Sequence, residues 1–243
     1  MNPSQGSSSE GGIVVEGVTK AFGVVQALRG VDLRVEQGSF LTLFGPNGAG
    51  KTTLIRILAT LTKPTSGSAQ VGGYDLARQP ERVRAVTGVI SHDPYLYGSL
   101  TALENIRFFA SMYDVPRPEE RAREVIKRMG LEARMHDVVR TFSRGMQQRL
   151  SVARAIVHDP GILLLDEPYT GLDQHGAALL TEMLRGIKQE RRTVVMTTHN
   201  VGEGLELSDR VMIIDGGRIT YSEDSASMEP GLFKDRYMKI VGI

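Results

Sequence analysis

The 243-residue chain contains no cysteine. That excludes disulfides and thiolate metal sites and is compatible with a reducing compartment. No apolar run approaches the roughly 18 residues that a membrane-spanning helix needs. Residues 1–10, Met-Asn-Pro-Ser-Gln-Gly-Ser-Ser-Ser-Glu, lack the positive start and apolar centre of a secretion signal. With residues 11 and 12 they read as a flexible polar tail. A net charge of +1 gives no basis for binding nucleic acid by bulk electrostatics. A soluble protein is expected, with any membrane role supplied through a partner. What is present is a 41% hydrophobic fraction and a 23% charged fraction. These suit one large domain with a core, or a domain carrying a smaller lobe.

Residues 45–53 read Gly-Pro-Asn-Gly-Ala-Gly-Lys-Thr-Thr. They fit the phosphate-loop pattern G-x-x-x-x-G-K-[ST], with Gly45, Gly50, Lys51 and Thr52 in the required places. Before them, Phe40–Phe44 is short, apolar and bounded, as a buried strand should be. After them, residues 54–58 have helical spacing without a breaker. Strand, glycine loop and helix form the context in which this motif binds a nucleoside triphosphate. Glycine lets the backbone approach an anion, and amides at the helix start point at phosphate oxygens. Lys51 adds a point charge for the outer phosphates, and the Thr52 hydroxyl suits Mg²⁺.

Residues 13–18 and 31–36 alternate apolar and polar, which predicts half-buried antiparallel strands. Phe22 lies between them, before Gly23, either to stack on a base or to serve as a core or hairpin residue. Short strands are expected at 68–71 and 86–91. From Leu100 the period becomes helical to about Gly130, with Thr101 and Glu104 at capping-box spacing and Pro116 and Pro118 dividing the run before a helix over 119–129. This predicts an inserted helical lobe over 93–158, its many charges forming a solvated face. Ser143 precedes a helical run over 150–157, either as an ordinary N-cap or to present a hydroxyl and amides to an anion.

Residues 162–165 form a continuous apolar run, the mark of a strand buried on both faces of a parallel sheet. It delivers Asp166 and Glu167 to the sheet edge where ligands bind. Adjacent carboxylates there are costly without a cation or a reaction to serve. Asp166 suits Mg²⁺, and Glu167 is placed to polarise an attacking water. Thr193–Thr198 is a further buried strand ending at His199, which either meets a terminal phosphate or is structural. Arg210–Asp215 and residues 217–221 read as a closing hairpin, and residues 232–243 as weakly helical.

In combination, from about Ile13 to Tyr221, the chain resembles the ATP-binding subunits of ABC transporters. Gly45, Pro46, Asn47, Gly48, Ala49, Gly50, Lys51, Thr52 and Thr53 look like Walker A, and residues 162–167 like Walker B with its catalytic glutamate. Ser143, Arg144, Gly145, Met146 and Gln147 fall where the Leu-Ser-Gly-Gly-Gln signature lies. Gly171-Leu-Asp173 matches the D-loop, His199 the switch histidine, and Phe22 the base-stacking aromatic. The resemblance implies an α/β fold: a P-loop NTPase core of mixed sheet and flanking helices, an antiparallel β subdomain and an inserted α-helical subdomain, as one cassette over 13–243. It implies ATP and Mg²⁺ as cofactors, with Thr52 and Asp166 on the metal and Glu167 and His199 in catalysis. It also implies a second cassette, most simply a second copy, whose site Ser143 and Gly145 complete. Integral-membrane subunits would contact the region from His92 to Phe109, where Tyr95, Tyr97 and Phe108 suit a groove for a partner helix. The expected location is cytoplasmic, peripheral on the inner face of the cell membrane.

Two departures stand out. Arg144 and Met146 replace a glycine and a glutamine of the signature, and His92 occupies the Q-loop glutamine position. Direct ligation of Mg²⁺ by His92 runs against that ion's preference for oxygen. The same histidine, in His92-Asp-Pro, with Leu100-Thr-Ala-Leu-Glu-Asn105, is similar to the ATP-binding subunit of the bacterial haem exporter of cytochrome c maturation. An exporter for another cargo and the soluble ABC ATPase of iron–sulfur cluster assembly are the alternatives. The interval between Lys51 and Ser143 leaves no room for the long coiled coil of DNA-repair relatives.

Overall fold

Alternation in the first two segments is realised as a hairpin. Strands β1 (Ile13–Phe22) and β2 (Val25–Val35) pair antiparallel from Ile13 opposite Val35 to Phe22 opposite Val25. The computed structural model describes residues 11–91 and 93–242. The expectations for residues 1–10 and for His92 fall outside them.

Strand β3 (Phe40–Phe44) is wholly buried and runs into the glycine loop and helix α1 (Lys51–Leu58). Strands β4 (Ser66–Val71) and β5 (Tyr74–Asp75) complete a four-stranded antiparallel sheet in the order β2-β1-β4-β5. Helix α2 (Pro80–Val86) takes Val86 from the strand expected over 86–91, which begins one residue later as β6 (Thr87–Ser91). Proline at the helix start suits a position whose N–H has no intrahelical acceptor, so the segment starts as a helix.

The helical lobe follows as α3 (Ala102–Met112), α4 (Pro118–Arg128) and α5 (Arg144–Ile156). The expected capping box is present. Glu104 N–H donates to Thr101 Oγ1 at 3.2 Å, and Thr101 N–H donates to Glu104 Oε2 at 2.8 Å. The charges of α4 include an Arg123–Glu119 pair at 2.9 Å, and Glu120 pairs with the N-cap residue Arg117 at 2.9 Å. Arg121 does more than face solvent, since its Nε donates to the Val157 carbonyl at 3.0 Å and ties α4 to the end of α5.

Strand β7 (Ile162–Asp166), helix α6 (Gln174–Gln189), strand β8 (Thr193–Thr198) and helix α7 (Val201–Leu205) come next. The hairpin of β9 (Arg210–Asp215) and β10 (Arg218–Asp224) leads to α8 (Pro230–Val241). The second sheet has the order β10-β9-β3-β8-β7-β6; only the β10–β9 pairing is antiparallel.

Burial on both faces of β7 is visible residue by residue. Leu163 and Leu165 join a core shared with the helical lobe, whereas Ile162 and Leu164 join one shared with α1 and the antiparallel sheet. This is the mixed sheet, β subdomain and helical insertion that the sequence implied. Register sets the site: Asp166 lies opposite Thr197, and Phe44 opposite Thr198. Three strands thus end together at one edge, with the glycine loop and His199 just beyond.

Candidate active site

The glycine loop is pinned from both sides by backbone. A β-carbon on Gly45 would lie 2.4 Å from the Ile214 carbonyl oxygen. At Gly50, where φ is +107°, it would lie 2.7 Å from the Ala27 carbonyl oxygen. Only glycine fits these approaches. Gly217 N–H donates to the Ala49 carbonyl at 3.1 Å, so the β9–β10 turn also braces the loop. Gly50 is the N-cap of α1 and offers no side-chain cap. The first amides of the helix therefore have no intrahelical acceptor and form a ready anion cradle.

Lys51 is 5% exposed and curls back into this loop. Its Nζ donates to the Gly45 carbonyl at 2.6 Å and the Pro46 carbonyl at 3.1 Å, and stands 3.0 Å from Glu167 Oε1. The Thr52 hydroxyl donates to Asp166 Oδ1 at 3.1 Å. Asp166 is buried, and the same oxygen accepts from the Thr197 hydroxyl at 2.8 Å. Charge-assisted bonds to two hydroxyls hold the carboxylate in place. Thr52 and Asp166 thus offer two adjoining oxygens, a donor set that suits Mg²⁺.

Glu167 follows with a left-handed backbone, φ +50°, unusual for a residue with a β-carbon. Its amide donates to the Thr197 carbonyl at 3.1 Å and lies 3.2 Å from the Thr197 hydroxyl, which fixes the turn. Its Oε1 is sealed from solvent, facing Lys51 outside hydrogen-bond angles, and Oε2 lies 2.8 Å from His199 Nδ1. The carboxylate is thus aimed between the phosphate-loop lysine and a half-exposed imidazole. A cradle for phosphate, oxygens for a cation and an oriented base are the parts that phosphoryl transfer to water requires.

The remaining expected residues lie elsewhere. Phe22 sits at the tip of the β1–β2 hairpin, 53% exposed, with Lys20 Nζ 4.9 Å from its ring centroid. Ser143 is the N-cap of α5, accepting from Met146 N–H at 3.3 Å, so the helix begins at Arg144 rather than near Leu150. Gln147 Nε2 donates to the Phe142 carbonyl at 3.3 Å. Asp173 caps α6 by accepting from Gly176 N–H at 2.7 Å. Ser143, Arg144, Gly145, Met146 and Asp173 line a cavity of about 260 Å³ together with His175. No phosphate-loop residue lines that cavity. Thr197 was absent from the sequence-level candidates. Its signal was available, a hydroxyl residue in a buried strand that ends at the site.

Comparison with known proteins agrees with this geometry. The family model "ABC transporter" matches residues 28–170. The chain is 39% identical to the ABC transporter ATP-binding protein NatA of Bacillus subtilis over 201 residues, covering 82% of each chain. It is 36% identical to the daunorubicin/doxorubicin resistance ATP-binding protein DrrA of Streptomyces peucetius, over 90% of this chain and 67% of DrrA. With the Nod factor export ATP-binding protein I of Ralstonia nicotianae it shares 35% identity, over 89% of this chain and 68% of that one. The dimeric cassette MJ0796 bound to ADP and Pi superposes with a TM-score of 0.80 at 26% identity, covering 89% of this chain and all of that one. With the fold, the phosphate loop and the acid-bearing strand all in agreement, the chain belongs to the ABC transporter family as an ATP-binding cassette that hydrolyses ATP.

Proposed function

We propose that the chain energises an exporter by hydrolysing ATP, with Lys51 holding the outer phosphates and Glu167 readying the attacking water. The observation that carries this is the convergence of Lys51, Thr52, Asp166, Glu167 and His199 at one sheet edge. Thr52 and Asp166 would hold Mg²⁺, which when bound offsets charge on the phosphates. Glu167 Oε1 is buried close to Lys51, and His199 steadies the other oxygen, so the carboxylate keeps one orientation toward the water it deprotonates.

Export is favoured by the names of the relatives, which refer to drug resistance and to Nod factor export. Haem as cargo is the finer proposal; it rests on His92-Asp-Pro and residues 100–105, and none of the relatives just named carries that role. No helix among the described residues is long and apolar enough to cross a membrane. Membrane subunits would choose the cargo and dock beside Tyr95, Tyr97 and Phe108, which are 46%, 50% and 41% exposed. A second cassette would face the first and bring Ser143 and Gly145 to its nucleotide, on the cytoplasmic side of the membrane, with Phe22 stacking on the base.

Glu167→Gln should lower ATP turnover by roughly 10²-fold or more while nucleotide binding persists. Undiminished turnover would remove Glu167 from the role. Lys51→Ala should weaken nucleotide affinity in calorimetry. Isolation of the complex from its native membrane tests the transport assignment. Integral-membrane subunits are expected to co-purify, and soluble scaffold proteins in their place would favour the iron–sulfur alternative.

A further inference from the structure

The last helix contributes no residue to the site described above, yet it reaches it. Phe233 and Tyr237, one turn apart on α8, are 1% and 8% exposed. Both rings pack on Phe44, at 5.0 and 6.3 Å between centroids. Phe44 is the last residue of β3 and Gly45 follows it, so α8 braces the entry to the phosphate loop. Gly204 of α7 abuts the same ring, where a β-carbon would lie 2.4 Å from Phe44 Cζ.

Tyr237 also touches the switch-histidine segment directly. Its hydroxyl donates to the backbone carbonyl of His199 at 3.4 Å. The imidazole of that residue stands 2.8 Å from Glu167 Oε2 and is itself 53% exposed. A cavity of about 610 Å³ opens between α7 and α8, lined by His199, Asn200, Val201, Leu205 and Lys234 among others. Tyr237 itself borders this cavity, so its hydroxyl bond to the His199 carbonyl is one of the contacts made across this flank. A phenylalanine would fill the ring's place against Phe44 equally well. The hydroxyl is what distinguishes tyrosine from phenylalanine here, and the His199 carbonyl is its hydrogen-bond partner.

We infer that Tyr237 is a positioning residue for ATP hydrolysis: anchored on Phe44, it fixes the peptide that carries His199, and through that imidazole the Glu167 carboxylate. This rests on the assignment of water activation to Glu167 with His199 beside it. Burial, followed by the nearby Glu167 carboxylate, raises the Tyr237 pKa, so the hydroxyl keeps the proton it donates.

The test is steady-state ATP turnover of Tyr237→Phe, which keeps the ring and removes the donor. The kcat should fall roughly three- to tenfold with KM and nucleotide affinity unchanged, as for loss of orientation without loss of binding. The melting temperature should stay near wild type. Phe233→Leu serves as the packing control: it should lower the melting temperature, and any change it makes in kcat should persist in a His199→Ala background, because it acts through Phe44 and not through His199. In a His199→Ala background, Tyr237→Phe should have no further effect on the residual rate, because both act through one contact. Wild-type kcat in Tyr237→Phe, or an equal loss with and without His199, would overturn the inference while leaving Glu167 in place. Full turnover in Glu167→Gln would instead remove the assignment beneath it.

Discussion

Glu167 holds its position against its own backbone preference. A left-handed φ at a residue with a β-carbon persists only where the surroundings over-determine it, and here the Thr197 carbonyl, Lys51 and His199 do so. A second residue shows a different balance. His158 stacks on Tyr113 with centroids 3.8 Å apart and planes 6° apart, and its Nε2 lies 3.2 Å from the Thr87 carbonyl. Nδ1 is buried without a partner. Burial first, then the charges of Arg154 and Arg192 against the opposing Thr87 bond and Asp159, lowers its pKa from 6.5 to about 4. The sign follows directly. Between those values the unfolded chain binds a proton that the folded chain refuses, so stability falls as pH drops from about 6.5 toward 4. Relative to His158→Phe, which keeps the stack, the wild-type protein should lose roughly 2–3 kcal/mol between pH 7 and 4. Urea denaturation at the two pH values measures this. Equal losses in both proteins would show that His158 takes up its proton as readily in the folded chain as in the unfolded one.

Element by element, the segments whose pattern is local were legible. Phe40–Phe44 was read at its observed bounds, and the β7 and β8 strands within a residue, because continuous apolar runs bounded by turns leave little choice. The Thr101–Glu104 box was equally plain, since a cap is a property of four residues. Thr101→Ala should cost about 1 kcal/mol in denaturation, with Thr101→Ser close to neutral because it retains the accepting oxygen. A loss as large in Ser as in Ala would assign the effect to the Thr101 methyl. Other elements were not foreseen. The two residues of β5 and the five of α7 are too short to show a period. Helix α6 has a sequence signal of its own, Leu180, Leu184 and Ile187 at helical spacing after the Asp173 cap. The α8 segment reads only as weakly helical because its buried residues, Phe233 and Tyr237, contact Phe44, about 190 positions earlier. Such a contact has no sequence-local trace. The same reasoning explains Thr197, whose role exists only because β7 and β8 pair in register.

Across the whole molecule, the phosphate loop with its two acids forms one centre, and the Ser143 segment faces another cavity. A single chain thus holds the halves of two different sites if the signature serves a neighbour, and both halves of none. That arrangement makes an unusual prediction about mixtures. Lys51→Ala lacks a phosphate cradle but keeps its signature, while Ser143→Arg keeps the cradle and blocks the signature. Each variant alone should turn ATP over far below wild type. Mixed in equal amounts, half of the dimers would pair one of each, and every such dimer would contain one intact composite site. About one quarter of wild-type sites would then be restored, as expected for a two-fold pair with two equivalent sites. Turnover per chain should also rise with protein concentration, because assembly follows mass action. A mixture no more active than the sum of its parts, with turnover per chain independent of concentration, would mean that Lys51, Glu167 and His199 hydrolyse ATP without help from Ser143 of a second copy.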